Sequence, residues 1–115
     1  MIKKITLAVV VLLVGIQFVP MEKNESGTND FDLTTNYQVP EHVATIMKGA
    51  CNDCHTNTTK YPWYSNVQPV GFWLNHHTND GKGHLNFSEF TSLPLRVQNH
   101  KFEEIIEMVE EKEMP

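Results

Sequence analysis

The chain has 115 residues, of which 40% are hydrophobic and 20% are charged, and its formal net charge at pH 7 is −5. A chain of this length has room for one small domain. The acidic balance argues against nucleic-acid binding, which requires a basic face.

The N-terminus has the pattern of a secretory signal. Lys3 and Lys4 precede an apolar run at residues 5–19, and a basic start followed by such a run is typical of exported proteins. No small-residue cleavage pattern follows, and the run is shorter than the roughly 20 residues that span a bilayer. Residues 1–20 are therefore predicted to be either a signal peptide or an uncleaved membrane anchor that attaches through residues 5–19. Both predictions place the protein in the periplasm or on the outer face of the cytoplasmic membrane.

The segment after this run is polar. Glu, Asn, Ser, Gly, Thr and Asp dominate residues 21–36, and such a composition cannot support a core. We predict a polar tether over residues 21–36, followed by a domain over residues 37–115.

The pattern of the predicted domain is helical. Apolar residues recur at helical spacing, most clearly at Phe102, Ile105 and Val109, and no segment alternates as a strand would. Gly81 and Gly83 are expected to end the second helix. We therefore predict an all-α fold with helices at Pro40–Ala50, from Pro69 to His76 or His77, at Phe87–Thr91 and at about Val97–Lys112.

Cys51, Cys54 and His55 form a C-x-x-C-H motif directly after the first predicted helix. In this motif two thiols add to the vinyl groups of haem, and the histidine binds the iron from one side. The export signal and the lack of other cysteines agree with covalent haem, and a small domain gains core area from the cofactor. We predict one haem c, with Cys51 and Cys54 as attachment sites and His55 as the proximal iron ligand.

Three other kinds of site that use two cysteines are alternatives to haem. A redox-active pair of the thioredoxin type requires a βαβ context and a cysteine at a helix N-terminus, whereas Cys51 follows a helix. A disulfide between Cys51 and Cys54 is permitted in an oxidising compartment. Structural zinc would also need histidines, and the available ones lack the paired spacing of common zinc modules. These are His76, His77, His84 and His100.

The second axial ligand of the iron has two candidates. Met114 follows the last predicted helix and precedes Pro115, where a loop could return its thioether to the iron. A thioether opposite histidine raises the reduction potential and favours electron transfer. His84 is the alternative, because it lies in a glycine-flanked segment, and a second histidine would lower the potential.

Several segments of the chain resemble the haem-binding domain family of bacterial envelope proteins, found chiefly in Bacteroidetes. The resemblance rests on YPWYSN, GKGHLNFSE and the final EMP, in addition to the C-x-x-C-H motif. It implies a cytochrome c-like fold, haem on Cys51 and Cys54, and His55 as proximal ligand. Family members usually continue past the Met-Pro step through a loop and a closing helix. We therefore expect this chain, which ends at Pro115, to be a fragment or a shortened form.

The predicted function is one-electron transfer with redox partner proteins of the cell envelope, without catalysis by the domain itself. The alternative is a haem-based sensor or a peroxidase-associated haem domain, which needs an open or displaceable sixth position on the iron. No nucleic-acid partner is expected.

Overall fold

The computed structural model describes residues 1–115 and confirms the predicted all-α architecture, since it contains helices and no strand. The α-helices are α1 (Ile2–Gly15), α2 (Leu33–Asn36), α3 (Glu41–Ala50), α4 (Asn52–His55), α5 (Val70–His84) and α6 (Leu95–Glu110). Three 3₁₀ helices lie between them, at Ile16–Phe18, Trp63–Asn66 and Phe87–Ser92.

Helix ends follow local sequence signals at several positions. Pro40 and Pro94 immediately precede α3 and α6, as expected for a residue whose φ is fixed and which lacks an N–H. The Pro94 carbonyl already accepts hydrogen bonds from the Val97 and Gln98 N–H groups, so α6 begins earlier than predicted. The side chain of Asn86 accepts a hydrogen bond from the Ser88 N–H at 3.0 Å, as an N-cap residue does.

Helix α5 is longer than predicted. It continues through Gly81 and Gly83 to His84, so the predicted end at these glycines is wrong. Glycine in a helix costs about 1 kcal/mol relative to alanine, but Gly81 lies where α5 packs against α4. Tertiary contact at this position outweighs the local propensity of the residue.

Helix α1 lies outside the core, because none of its residues is buried. No helix in the structure combines the length and the apolar character needed to cross a bilayer. Just after α1, the side chain of Gln17 forms two hydrogen bonds with the backbone of Gln68. The N-terminal helix is thereby joined to the domain at its C-terminal end.

The polar segment 21–36 lies along the domain. The Asn24 N–H donates to the Tyr61 hydroxyl at 2.9 Å, and its side-chain amide donates to the Thr56 carbonyl at 2.8 Å. The Lys82 ammonium donates to the side-chain oxygen of Asn24 at 2.6 Å. Asn24 is buried, as is Leu33 further along the segment. The segment is therefore packed against the domain, which its composition did not lead us to expect.

The apolar core is small. Its three buried hydrophobic residues are Leu33, Phe87 and Phe90. Around them lie apolar residues that are only half-buried: Tyr37, Val39, Met47, Cys51, Leu85, Phe102 and Ile105. Seven of the 11 buried residues are polar, so hydrogen bonds hold much of the interior. The partly covered apolar residues form a face on which further apolar area can pack.

Candidate haem-binding site

The two thiols and the imidazole of the C-x-x-C-H motif are carried by one helical turn. Cys51 ends α3 and precedes α4, and its carbonyl accepts hydrogen bonds from the Cys54 N–H at 3.2 Å and the His55 N–H at 3.0 Å. Both cysteines are free, Cys51 half-buried and Cys54 exposed. No disulfide joins them, so both sulfur atoms are available to a cofactor.

The ionisation of the two thiols does not match that of a redox-active pair. Burial raises the pKa of Cys51 above its ordinary value. Burial, and secondarily the negative charge of Asp53, raises the pKa of Cys54 as well. Thioredoxin-type chemistry depends on a lowered thiol pKa. A raised pKa of both thiols does not fit such chemistry.

The ring of His55 is oriented by two backbone carbonyls. Its Nδ1 lies 3.1 Å from the Gly81 oxygen and 3.0 Å from the Leu85 oxygen. Because carbonyl oxygens only accept hydrogen bonds, Nδ1 must carry the proton and donate. The lone pair is then on Nε2, which is the tautomer that metal-ligating histidines adopt when a carbonyl orients the other nitrogen.

Gly81 allows α5 to approach the motif closely. A Cβ atom at this position would lie 3.0 Å from the Cys54 oxygen, 3.3 Å from the Cys54 Cβ and 3.5 Å from the His55 Cε1. A larger residue would crowd the contact between the last turns of α5 and the motif, which the absence of a side chain at Gly81 relieves. The sequence pattern had marked Gly81 as a helix end, whereas its structural role is this contact.

A hydrogen-bond network behind His55 fixes the loop that follows it. Asn57 is 3% exposed, and its N–H donates to the Ser88 hydroxyl at 3.1 Å. Its amide group accepts from Asn86 at 2.8 Å and donates to Glu89 at 3.2 Å. The polar residues of the N-F-S-E segment thus all contact Asn57. Phe87, between them, packs edge-on against the His55 ring, with centroids 6.2 Å apart.

A model of a family described as a haem-binding domain matches residues 11–115. The chain belongs to this haem-binding domain family. The match covers nearly the whole chain, including the end of α1 and all of the segment that carries the motif. Neither the curated proteins nor the solved structures gave a match.

The residues present fit haem. His55 offers a free ring nitrogen on an oriented imidazole, and two unpaired thiols lie on the same turn. Cys51 packs against the core cluster, as do the half-buried Met47 and Leu85, and such apolar surroundings suit the porphyrin. No group of three or more His, Cys, Asp or Glu side chains is arranged to hold a metal ion. Haem binding, predicted from the sequence, is confirmed at the level of the family.

Neither predicted distal ligand contacts the motif through a hydrogen bond or a ring contact. Met114 is 41% exposed, and its N–H donates to the Met108 carbonyl at 3.1 Å after the end of α6. His84 is exposed at the end of α5, with Nε2 3.9 Å from the Asp80 carboxylate. The identity of the distal ligand stays a prediction.

Sequence reasoning did not identify three residues that build the site. Gly81 and Leu85 act through backbone carbonyls, which no side-chain pattern reveals. Asn57 lies two positions after His55, and its partner Ser88 is 31 residues further on. The only available signal was the N-F-S-E segment itself, which was noted for its resemblance but given no role.

Proposed function

We propose that this protein is a c-type cytochrome domain that binds one haem covalently through Cys51 and Cys54 and transfers single electrons in the bacterial cell envelope. The observation that carries the proposal is the orientation of His55. Two backbone carbonyls hold Nδ1, so that Nε2 is presented on the same helical turn as both thiols. When bound, haem supplies a one-electron couple between ferric and ferrous iron.

Each residue of the site has a separate role in this proposal. Cys51 and Cys54 form the thioether links, and His55 binds the iron through Nε2. The Gly81 and Leu85 carbonyls keep the imidazole proton on Nδ1 and raise the basicity of the ligating nitrogen. Met47 and Leu85 contribute apolar surface that excludes water. The fold proposed for the haem-loaded domain is cytochrome c-like.

Met114 is proposed as the distal ligand and His84 as its alternative. The final residues after α6 are exposed, so the thioether of Met114 can be brought to a metal without unfolding a helix. Its exposure also favours the second candidate function, a haem-based sensor or peroxidase-associated domain, in which the sixth position opens easily.

Redox partner proteins are proposed to dock near the acidic surface of α6. Glu103, Glu107 and Glu110 are exposed on this helix. Charge of one sign on a surface steers partners of the opposite sign. We propose the periplasm, or the outer face of the cytoplasmic membrane, as the place where this exchange occurs.

The attachment of haem is tested by expressing the chain for export together with a cytochrome c maturation system. Haem that stays on the protein in a denaturing gel, and a pyridine haemochrome spectrum of the thioether type, are expected for the parent chain. Cys51→Ala combined with Cys54→Ala should abolish both signals, whereas each single variant should keep one thioether link. Haem that remains on the double variant after denaturation contradicts covalent attachment.

The distal ligand is tested with matched methionine variants. Met114→Leu is expected to remove the far-red sulfur-to-iron band and to lower the reduction potential, because a thioether stabilises ferrous iron. Met108→Leu, on α6, serves as the control and should leave both unchanged. If Met114→Leu behaves like the control, His84→Ala becomes the next variant. A parent protein that binds carbon monoxide rapidly, with no sulfur band, would favour the sensor.

A further inference from the structure

Two uncharged stretches of the chain are joined by a reciprocal pair of hydrogen bonds. Gln17 donates from Nε2 to the Gln68 carbonyl at 3.0 Å and accepts at Oε1 from the Gln68 N–H at 2.9 Å. No Asp, Glu, Lys or Arg occurs at residues 5–21, and none occurs at residues 61–79. The end of α1 is therefore fixed beside the start of α5.

Large apolar side chains around this junction are exposed. We call this set the aromatic surface: Trp63, Tyr64, Val67, Val70 and Trp73. Trp63 alone is 79% exposed, and Phe18, next to Gln17, is 83% exposed. None of the members packs against the core cluster, unlike the half-buried residues that suit haem. An exposed apolar set of this kind indicates an interaction surface.

The chemistry of the aromatic surface fits a lipid bilayer. Trp and Tyr have apolar rings with one polar atom and are enriched at the level of the lipid headgroups. The adjoining α1 is apolar over most of its length and has no buried residue. At 14 residues it is about 21 Å long, which is less than the roughly 30 Å hydrocarbon core. Additional contact at the interface would compensate for this short length.

A second contact restrains the chain after α1. The buried Asn24 binds Tyr61, Thr56 and Lys82 through hydrogen bonds of 2.6–2.9 Å. The chain is thus attached to the domain at Gln17 and again at Asn24, so α1 does not hang from a free linker.

We propose that α1 stays attached to the mature protein and enters a lipid bilayer, and that the aromatic surface lies on the same bilayer. The domain is then held against the membrane in one orientation, with the surface from Trp63 to Trp73 facing the lipid. This proposal is independent of electron transfer and of the distal ligand.

The test uses the full haem-loaded chain in vesicles of phosphatidylethanolamine and phosphatidylglycerol. A photoactivatable apolar diazirine dissolved in the bilayer labels the residues that face lipid, and peptides are then mapped by mass spectrometry. Labelling is expected in α1 and at residues 63–73. The exposed apolar residues Leu95 and Ile106 of α6 are the internal control and should stay unlabelled. Labelling confined to α1, or a mature chain that begins after Gln17, overturns the proposal.

Charge substitutions provide the matched comparison. Trp63→Glu combined with Val67→Glu is expected to reduce labelling at residues 70–73 to the level of Leu95, because carboxylates are costly to bring against lipid. Leu95→Glu should leave that labelling unchanged. Circular dichroism checks that both variants are folded. Unchanged labelling in the double variant contradicts the proposal. A parent protein that forms a dimer in detergent, when the double variant does not, also contradicts it, because the surface would then bind a second copy of the chain.

Discussion

Gly81 of α5 lies directly against the backbone of Cys54, so closely that a Cβ atom at position 81 would be 3.0 Å from the Cys54 carbonyl oxygen. The same glycine supplies one of the two carbonyls that bind His55. The packing of α5 on the motif and the orientation of the imidazole therefore depend on one position.

Gly81→Ala is expected to lower the free energy of unfolding by about 1–3 kcal/mol, because the added methyl group forces α5 away from α4. Displacement of the Gly81 carbonyl should also alter the spectrum of the haem-loaded protein. Gly83→Ala is the matched control. Its Cβ would meet nothing within 4 Å, so this variant should gain about 0.5–1 kcal/mol. Urea unfolding measures both, and equal stability of the two variants would refute the packing argument.

Asn57→Ala should destabilise the domain by about 1–3 kcal/mol, because it leaves the Asn86 amide and the Thr28 carbonyl without their partner. Asn57→Asp keeps the size but removes the donors to Thr28 and Glu89, and it should also be unstable. Asn66→Ala removes an exposed hydrogen bond and should change stability by less than about 0.5 kcal/mol. Thermal unfolding of the three variants checks this order, and an Asn57→Ala variant as stable as Asn66→Ala would contradict it.

Tyr37→Phe tests a partly buried hydrogen bond between Tyr37, which follows α2, and α6. The Tyr37 hydroxyl donates to Gln98 at 2.7 Å, and Gln98 is buried. Phenylalanine keeps the ring contacts with Phe90 and Phe102 but leaves the Gln98 oxygen unpaired, at a cost of about 1–2 kcal/mol. Tyr64→Phe alters an exposed residue and should be neutral in urea unfolding. A neutral Tyr37→Phe would show that the Gln98 oxygen finds another partner.

The Glu104 carboxylate has a lowered pKa, chiefly because the Lys101 ammonium donates to it at 2.6 Å. A depressed pKa in the folded state stabilises the protein above the ordinary pKa of a carboxyl group, and this contribution is lost as the pH falls through the folded value. Lys101→Met should therefore raise the pKa of Glu104, measured by NMR titration of its carboxyl carbon. Lys48→Met, on α3, is the control and should leave it unchanged. An unaltered titration in Lys101→Met would assign the shift to His100 instead.

The sequence predicted the residues that carry the chemistry of the site, but not the residues that orient and hold them. Cys51, Cys54 and His55 are adjacent in the chain, so any helical turn brings them together, and the helices of the domain follow from apolar spacing and proline positions. The place of Gly81 inside α5, in contact with Cys54, could not be predicted, because helix propensity describes a residue without its tertiary neighbours. Asn57 bonds Ser88, 31 positions away, and Asn24 bonds Lys82, 58 positions away. The composition of a segment does not reveal contacts between such distant residues.

The two oxygens that hold His55 belong to the main chain, and this has a consequence for how the site can vary. A substitution at Leu85 exchanges the side chain but leaves its carbonyl in place, so the ring keeps its direction as long as α5 keeps its path. Alanine scanning would therefore not detect the part that the Leu85 carbonyl plays in orienting His55. Substitutions that bend or shift the last turns of α5 would rotate the His55 imidazole, even though they change no residue of the motif.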